Sequence, residues 1–411
     1  MRLLFVSTIM PYPPVYGAAI RTWSLLRALA SEGVETTFLT FTSESGPAFD
    51  LRPLHDLCRG VQLVYLAPKS LSSSADYAGR ARALVGRDPY AAVRYRSHDM
   101  YRRVEEQLST FAFDAVFADE LFALVNLPPT ALPLIVNGHN VEYLILKRYL
   151  RFETNLLKRA YAWVESEKLR RWERHSFRRA SLGIACSEHD REVFLASDSS
   201  TPIAVVPNVV DTDYYMPRPS EGDPFTVMYQ GGMDWFPNRD AVEYFVSSIL
   251  PILRQRVPQV RFVVAGRNPS ADFLRKFRGD RSIEFTGTVD DMRSVIERAQ
   301  VCVVPLRIGS GTRLKILESA AMGKPVVSTT LGAEGLVLQE GRDIILRDDP
   351  REFADATADL LLHSEKRQSI AAAARERVRQ DYSFPALCSA VRVALDSVTR
   401  AAPALAARMH P

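Results

Sequence analysis

The 411 residues are 47% apolar and 24% charged, the balance of a soluble globular chain. That is too long for one ordinary core, so two domains of about 200 residues are expected. No apolar run of about 18 residues occurs, so no membrane-crossing helix is expected, and a net charge of +4 is too mild to argue for nucleic acid.

In chain order, Leu3 to Val6 reads as a first buried strand rather than a signal peptide, because the apolar run is short and no small-residue cleavage site follows. Further strands are expected at 35–41, 61–67, 113–118, 132–137, 182–186 and 203–206. Helical spacing covers 18–32, 98–110, 143–179 and 188–197, while 42–60 and 68–96 are less regular, with a loop at Ser70 to Ser74. Strands separated by helices imply a parallel sheet with right-handed crossovers. Ligands bind such sheets at the carboxyl ends of the strands. Two loops sit at such ends: Met10 to Ala19, with Gly17 and then Arg21 one helical turn on, and Asn137-Gly138-His139-Asn140-Val141-Glu142. The first is not a G-x-G-x-x-G fingerprint, so a dinucleotide is not indicated.

Residues 145–180 carry eleven Lys and Arg against four Glu, with Tyr161, Trp163 and Trp172 interleaved. This basic region reads either as a surface for anionic lipid or as a solvated helix face with its aromatics in the core. Nucleic acid has no supporting motif here. Residues 207–224, rich in Pro, Asp and Ser, read as a linker.

The alternation then repeats, with strands at 225–230, 260–265, 282–286, 300–304, 325–328 and 343–346. Helices are expected at 238–256, 270–278, 290–299, 312–322, 350–362 and 364–380, with Asn238 able to cap the first of them. Gly232, Gly266-Arg267 and Gly287 with Val289 stand in loops at strand ends. Arg267 reads as a phosphate contact or as an exposed side chain. Four scattered cysteines, Cys58, Cys186, Cys302 and Cys388, lack metal spacing and read as structural thiols of a reducing cytosol.

The most informative stretch is 301–327, VCVVPLRIGSGTRLKILESAAMGKPVV. A buried strand leads into a loop with Gly309, Ser310 and Gly311, then Thr312 as a helix N-cap. Gly323 ends the helix and Pro325 follows. Such a loop aims backbone N–H groups and the helix dipole at one point, where a phosphate fits. Arg313 and Lys315 add positive charge there, against the dipole, which suggests an anion. Glu318, one turn deeper, offers a carboxylate suited to a ribose diol. The alternative is a Lys315–Glu318 ion pair on a solvated face; the residues alone leave both open.

Glu318, Gly323, Pro325, Val326 and Val327 resemble the nucleotide-sugar motif of the family 4 retaining glycosyltransferases, a Glu, seven residues, a second Glu, then G-x-P-V-V. Ser310 stands where the first Glu is expected. Gly17 resembles the first glycine of the family's donor loop, with Ala18 in place of the second. His139 resembles the His of a His-Asn-x-Glu element that touches the donor sugar, and Val206-Pro207-Asn208-Val209-Val210-Asp211 is similar to V-P-N-G-V-D.

The resemblance spans roughly 1–400 and implies an α/β GT-B fold, two doubly wound Rossmann-like domains facing across a cleft. The first would be 1–207 with a C-terminal helix at 385–400 packing back on it, the second 208–384, and 401–411 a flexible tail. It implies a retaining, metal-independent hexosyltransferase without cofactor, cytoplasmic or peripheral on the inner face of the membrane, in polysaccharide or glycolipid assembly. His139, Arg313 and Lys315 would be catalytic. Gly17, Arg21, Gly232, Gly266, Arg267, Gly287, Val289, Gly309, Ser310, Gly311, Thr312 and Glu318 would bind the nucleotide-sugar donor. The acceptor would be a glycan or lipid-linked glycan. The alternatives are a sugar-nucleotide epimerase of the same fold and a non-catalytic partner of another transferase.

Overall fold

The computed structural model describes residues 1–43, 50–67, 74–198, 200–218 and 222–408. The first six residues of the 68–96 region, and with them most of the loop expected at Ser70 to Ser74, lie outside the described residues. Two compact units divide at Pro207 and Asn208: Met1–Pro207 with Leu387–Pro411, and Asn208–Ala386.

The first unit is a seven-stranded sheet: β1 (Arg2–Ser7), β2 (Glu35–Thr42), β3 (Gly60–Tyr65), β4 (Ala115–Asp119), β5 (Leu134–Asn137), β6 (Leu182–Ala185) and β7 (Ile203–Val205). Its order is β3-β2-β1-β4-β5-β6-β7 and every pairing is parallel. Four of the strands are apolar at nearly every position because helices cover both faces. Leu3, Leu4 and Phe5 are fully buried, and Phe5 stacks on Phe117 of β4 with ring centroids 4.5 Å apart. The order reverses between β1 and β4, so this unit's switch point lies beyond Ser7 and Asp119.

The second unit repeats the plan with β8 (Thr226–Gln230), β9 (Arg261–Ala265), β10 (Ile283–Gly287), β11 (Val301–Val304), β12 (Val326–Ser328) and β13 (Ile345–Leu346), all parallel, in the order β10-β9-β8-β11-β12-β13. Its switch point lies between β8 and β11.

Several helices depart from their expected spans. The helix expected over 143–179 is two, Glu142–Tyr149 and Leu156–Arg178. Asn155 starts the second by accepting hydrogen bonds from the N–H groups of Leu157 and Lys158, each at 3.1 Å. The helix expected over 238–256 opens earlier, as Phe236–Tyr244, passes through a π turn at Phe245–Ile249 and resumes as Leu250–Arg256. Pro251 lacks the N–H that an unbroken helix needs. The irregular stretches hold helices Arg52–Leu57, Ser74–Val85 and Tyr90–Tyr95. The last helix runs Phe384–Arg408, through most of the expected tail, on an alanine-rich sequence of high helix propensity. Arg392 on it pairs with Glu32 at 2.7 Å within the first unit. All four cysteines are free thiols, and burial pushes those of Cys58 and Cys186 up to about 12.

Candidate active site

In the second unit three strand ends are stitched together by backbone bonds. The Gly231 N–H donates to Ala265 at 2.9 Å, Met233 to Arg267 at 2.8 Å, and Gly266 to Gly287 at 3.2 Å. Gly266 is obligatory: a Cβ there would stand 1.9 Å from the Gly231 carbonyl oxygen. Gly287, φ 68°, has open space around its Cα, and Val289 is partly buried against the core. Arg267 pairs with Asp234 across the loops at 3.3 Å.

After β11 the chain passes through Gly309 at φ 148° and Gly311 at φ 71°, both left-handed, into the helix Leu314–Ala321. Thr312 is not the N-cap. Its hydroxyl accepts from Asn208 Nδ2 at 2.7 Å, and Arg313 occupies the cap position. The buried Arg313 guanidinium folds back on the carbonyls of Ser310 and Gly311.

Lys315 and Glu318 share a helix face but do not pair. Lys315 Nζ donates to Tyr229 Oη at 2.8 Å and Asn238 Oδ1 at 3.0 Å, and lies over the Tyr229 ring. Burial and then the neighbouring Arg313 charge push its ammonium down to about 7. Glu318, 9% exposed, accepts from Gln230 Nε2 and from Tyr215 Oη at 3.3 Å, and burial raises its carboxyl above the ordinary range. The solvated ion pair is therefore excluded. Asn238 caps no helix; it also donates to the Gly232 carbonyl at 2.8 Å, tying Lys315 to the β8 loop.

The first unit gathers a different set at its switch point. Asp119, fully buried at the end of β4, accepts from Ser7 at 2.9 Å, Thr22 at 2.6 Å and Asn137 at 2.7 Å. His139 Nε2 lies 2.7 Å from its Oδ1. Burial works to raise this carboxyl, but the charge and hydrogen bond of His139 and the bonds from Thr22 and Asn137 outweigh it, holding it down at about 2. The next residue, Glu120, accepts from Thr8 and is pushed up to about 7, chiefly by burial. Gly17 is exposed at the first position of its helix, Gly17–Ser31. Arg21, 4% exposed, donates to Asn137 Oδ1 at 2.7 Å and the Val206 carbonyl at 3.0 Å. Those bonds tie it into the wall of the first unit.

A family model described as "Glycosyltransferase Family 4" matches residues 15–214, and one described as "Glycosyl transferases group 1" matches 224–363. The chain belongs to the family 4 glycosyltransferases. Glycogen synthase of Mycobacterium tuberculosis is 25% identical over 95% of this chain and 93% of its own. A phosphatidyl-myo-inositol mannosyltransferase of Mycolicibacterium smegmatis is 31% identical over 53% of each. The solved structure of Anabaena HepE in complex with UDP and glucose matches with a TM-score of 0.65 at 16% identity, covering 96% of this chain and 99% of that one. The GT-B fold expected from the sequence is thus the fold of this glycosyltransferase.

Of the expected site residues, the structure brings Gly232, Gly266, Arg267 and Gly287 together at one set of strand ends. It sets Gly309 to Thr312, Arg313, Lys315 and Glu318 on the loop and helix after β11. His139 and Arg21 join through Asn137 and Asp119 in the other unit. Sequence reasoning missed Thr8, Asp119, Glu120, Gln230, Tyr215 and Tyr229 as members of these clusters. Asp119 and Glu120 had a readable signal, an acidic pair directly after an apolar strand. Tyr215, in the segment read as a linker, had none.

Proposed function

We propose that this glycosyltransferase moves a hexose from a nucleoside-diphosphate sugar to an acceptor hydroxyl with retention at the anomeric carbon, without metal or cofactor. The observation that carries the reading is that Lys315 and Glu318 share one helix face yet stay apart, Lys315 held by Tyr229 and Asn238 and the buried Glu318 by Gln230 and Tyr215. A lysine kept near neutrality inside a protein gains most from a bound anion. A buried carboxylate with its own hydrogen-bond donors is ready to accept two more from a ribose diol.

In this mechanism the developing charge is on the departing diphosphate. Fixed N–H groups at 309–312, the helix dipole, Lys315 and Arg313 stabilise it. Arg313 reaches an anion by leaving the Ser310 and Gly311 carbonyls. Attack on the same face as departure, with the leaving phosphate taking the acceptor proton, needs no dedicated base. The second unit holds the nucleotide, while His139 in the first supplies a contact for sugar hydroxyls.

The acceptor is a glycan or a lipid-linked glycan. The names of the relatives, glycogen synthase and phosphatidyl-myo-inositol mannosyltransferase, support both classes. No described helix is long and apolar enough to cross a membrane. The turn that opens helix Leu156–Arg178 supports peripheral docking on an anionic inner leaflet. Leu156 and Leu157 are 78% and 83% exposed beside exposed Lys158 and Arg159, with Phe152 and Trp163 also exposed. Lys168, by contrast, is buried and donates to the Ala83 and Leu84 carbonyls, so part of the basic region is structural.

A thermal-shift screen of nucleoside diphosphates tests the reading: stabilisation by at least one is expected, and none by any would overturn it. Product analysis on donor alone separates transfer from epimerisation. Slow release of nucleoside diphosphate from a donor separates an enzyme from a non-catalytic partner.

A further inference from the structure

Glu120 directly follows β4 with φ 67° and ψ 146°. Residues other than glycine rarely enter that region, and they persist there only where the surroundings over-determine it, typically at functional sites. Its carboxyl bridges the reversal of the first sheet, since Oε2 accepts from Thr8, directly after β1. Its Oε1 lies 3.9 Å from His139 Nδ1. His139 is 6% exposed, and its Nε2–H donates to the Asp119 carboxylate; Nδ1 is buried with no hydrogen-bond partner among the described residues. A buried polar nitrogen left so is costly. Two polar atoms 3.9 Å apart are both reached by one oxygen at about 2.8 Å from each.

We propose that Glu120 is a specificity-determining residue of the transfer, gripping one sugar hydroxyl jointly with Nδ1 of His139. The inference rests on the glycosyl-transfer reading above. The hydroxyl belongs to the donor sugar or the acceptor sugar, and the chemistry is the same for both. One proton shared by the acid and the imidazole completes the bonding. Imidazolium donates to the hydroxyl and the hydroxyl to the carboxylate, or the carboxylic acid donates to the hydroxyl and the hydroxyl to the neutral ring. Thr8, Asp119, His139, Glu142 and Tyr95 are the groups that face or couple to Glu120. Both forms hold the same proton, and with the Glu120 carboxyl pushed up to about 7, chiefly by burial, that proton is lost as pH rises past neutrality.

The test uses the full chain, UDP, GDP, UDP-glucose and GDP-mannose as donor probes, and methyl α-glucoside and methyl α-mannoside as acceptor probes. Glu120→Gly removes the carboxyl and relieves the backbone, so it is expected to melt no lower than the wild type. If the hydroxyl is the donor's, Glu120→Gly weakens a nucleotide sugar tenfold or more while the bare nucleotide is unaffected. If it is the acceptor's, the same loss appears for a methyl glycoside, with nucleotide-sugar affinity kept. Glu120→Gln, whose amide can donate to the hydroxyl, restores affinity to within about threefold but flattens its pH dependence between about pH 6 and 8. Unchanged affinity for every sugar in a Glu120→Gly protein that still binds nucleotide overturns the Glu120 role alone. A wild type that binds no nucleotide overturns the transfer reading, and this role with it.

Discussion

The two sheets share one strand order around their switch points and end in opposite chemistry. Beyond β1 and β4 stand carboxylates, Asp119 and Glu120, with hydroxyls and an imidazole around them. Beyond β8 and β11 stand glycine loops, backbone N–H groups, Arg313 and a lysine held near neutrality. The first end suits hydroxyls and the second an anion. The same architecture thus carries opposite binding chemistry in each unit through strand-end residues alone.

That contrast can be broken first at Asp119. Asp119→Ala leaves Ser7, Thr22, Asn137 and His139 without their common acceptor, and a loss of about 4 kcal/mol in chemical denaturation is expected. Its folded value of about 2 lies below the ordinary 3.8. The stabilisation is therefore complete above roughly pH 4 and disappears as pH falls towards 2, on the order of 2 kcal/mol. A wild-type stability flat from about pH 5 to 2 would remove Asp119 from the account.

Next, His139→Ala is expected to lower sugar transfer about 100-fold, near 2.7 kcal/mol, with nucleotide affinity kept, since the nucleotide is assigned to the other unit. A parallel loss of nucleotide binding would erase the division of labour. Lys315 gives a smaller effect. Nucleoside diphosphate favours its charged form, so affinity should fall as pH rises from about 7 to 9 and binding should take up a proton, read by calorimetry in buffers of different ionisation enthalpy. Lys315→Arg should lose this pH dependence. The smallest effect concerns the surface: changing Leu156, Leu157 and Trp163 together to serine should reduce sedimentation with phosphatidylglycerol vesicles several-fold and leave nucleotide binding unaltered.

Much of this was readable in the chain because buried parallel strands such as Leu3–Val6 and Val301–Val304 are continuous apolar runs between helical segments. The turn at Gly309 and Gly311 and the helix after it were legible from the glycines that follow the Val301–Val304 run. Where each charged side chain turns was not. Lys315 and Glu318 look like an i,i+3 pair until tertiary neighbours, Tyr229 and Asn238 for one, Gln230 and Tyr215 for the other, take them apart. Arg21 suggested a donor contact by its place after Gly17, yet it bonds to Asn137, 116 residues away in sequence. The break near 150–155 was hidden because both flanking segments carry good helix formers, and only the Asn155 cap marks the restart.

The most direct test is titration of UDP and GDP into the wild type and into Glu318→Ala by calorimetry. One nucleotide should bind the wild type, and the substitution should weaken it by roughly 1–3 kcal/mol, the scale of charged hydrogen bonds to a ribose. Equal affinity in the two proteins, with the variant folded, would contradict the assignment of this helix to the nucleotide.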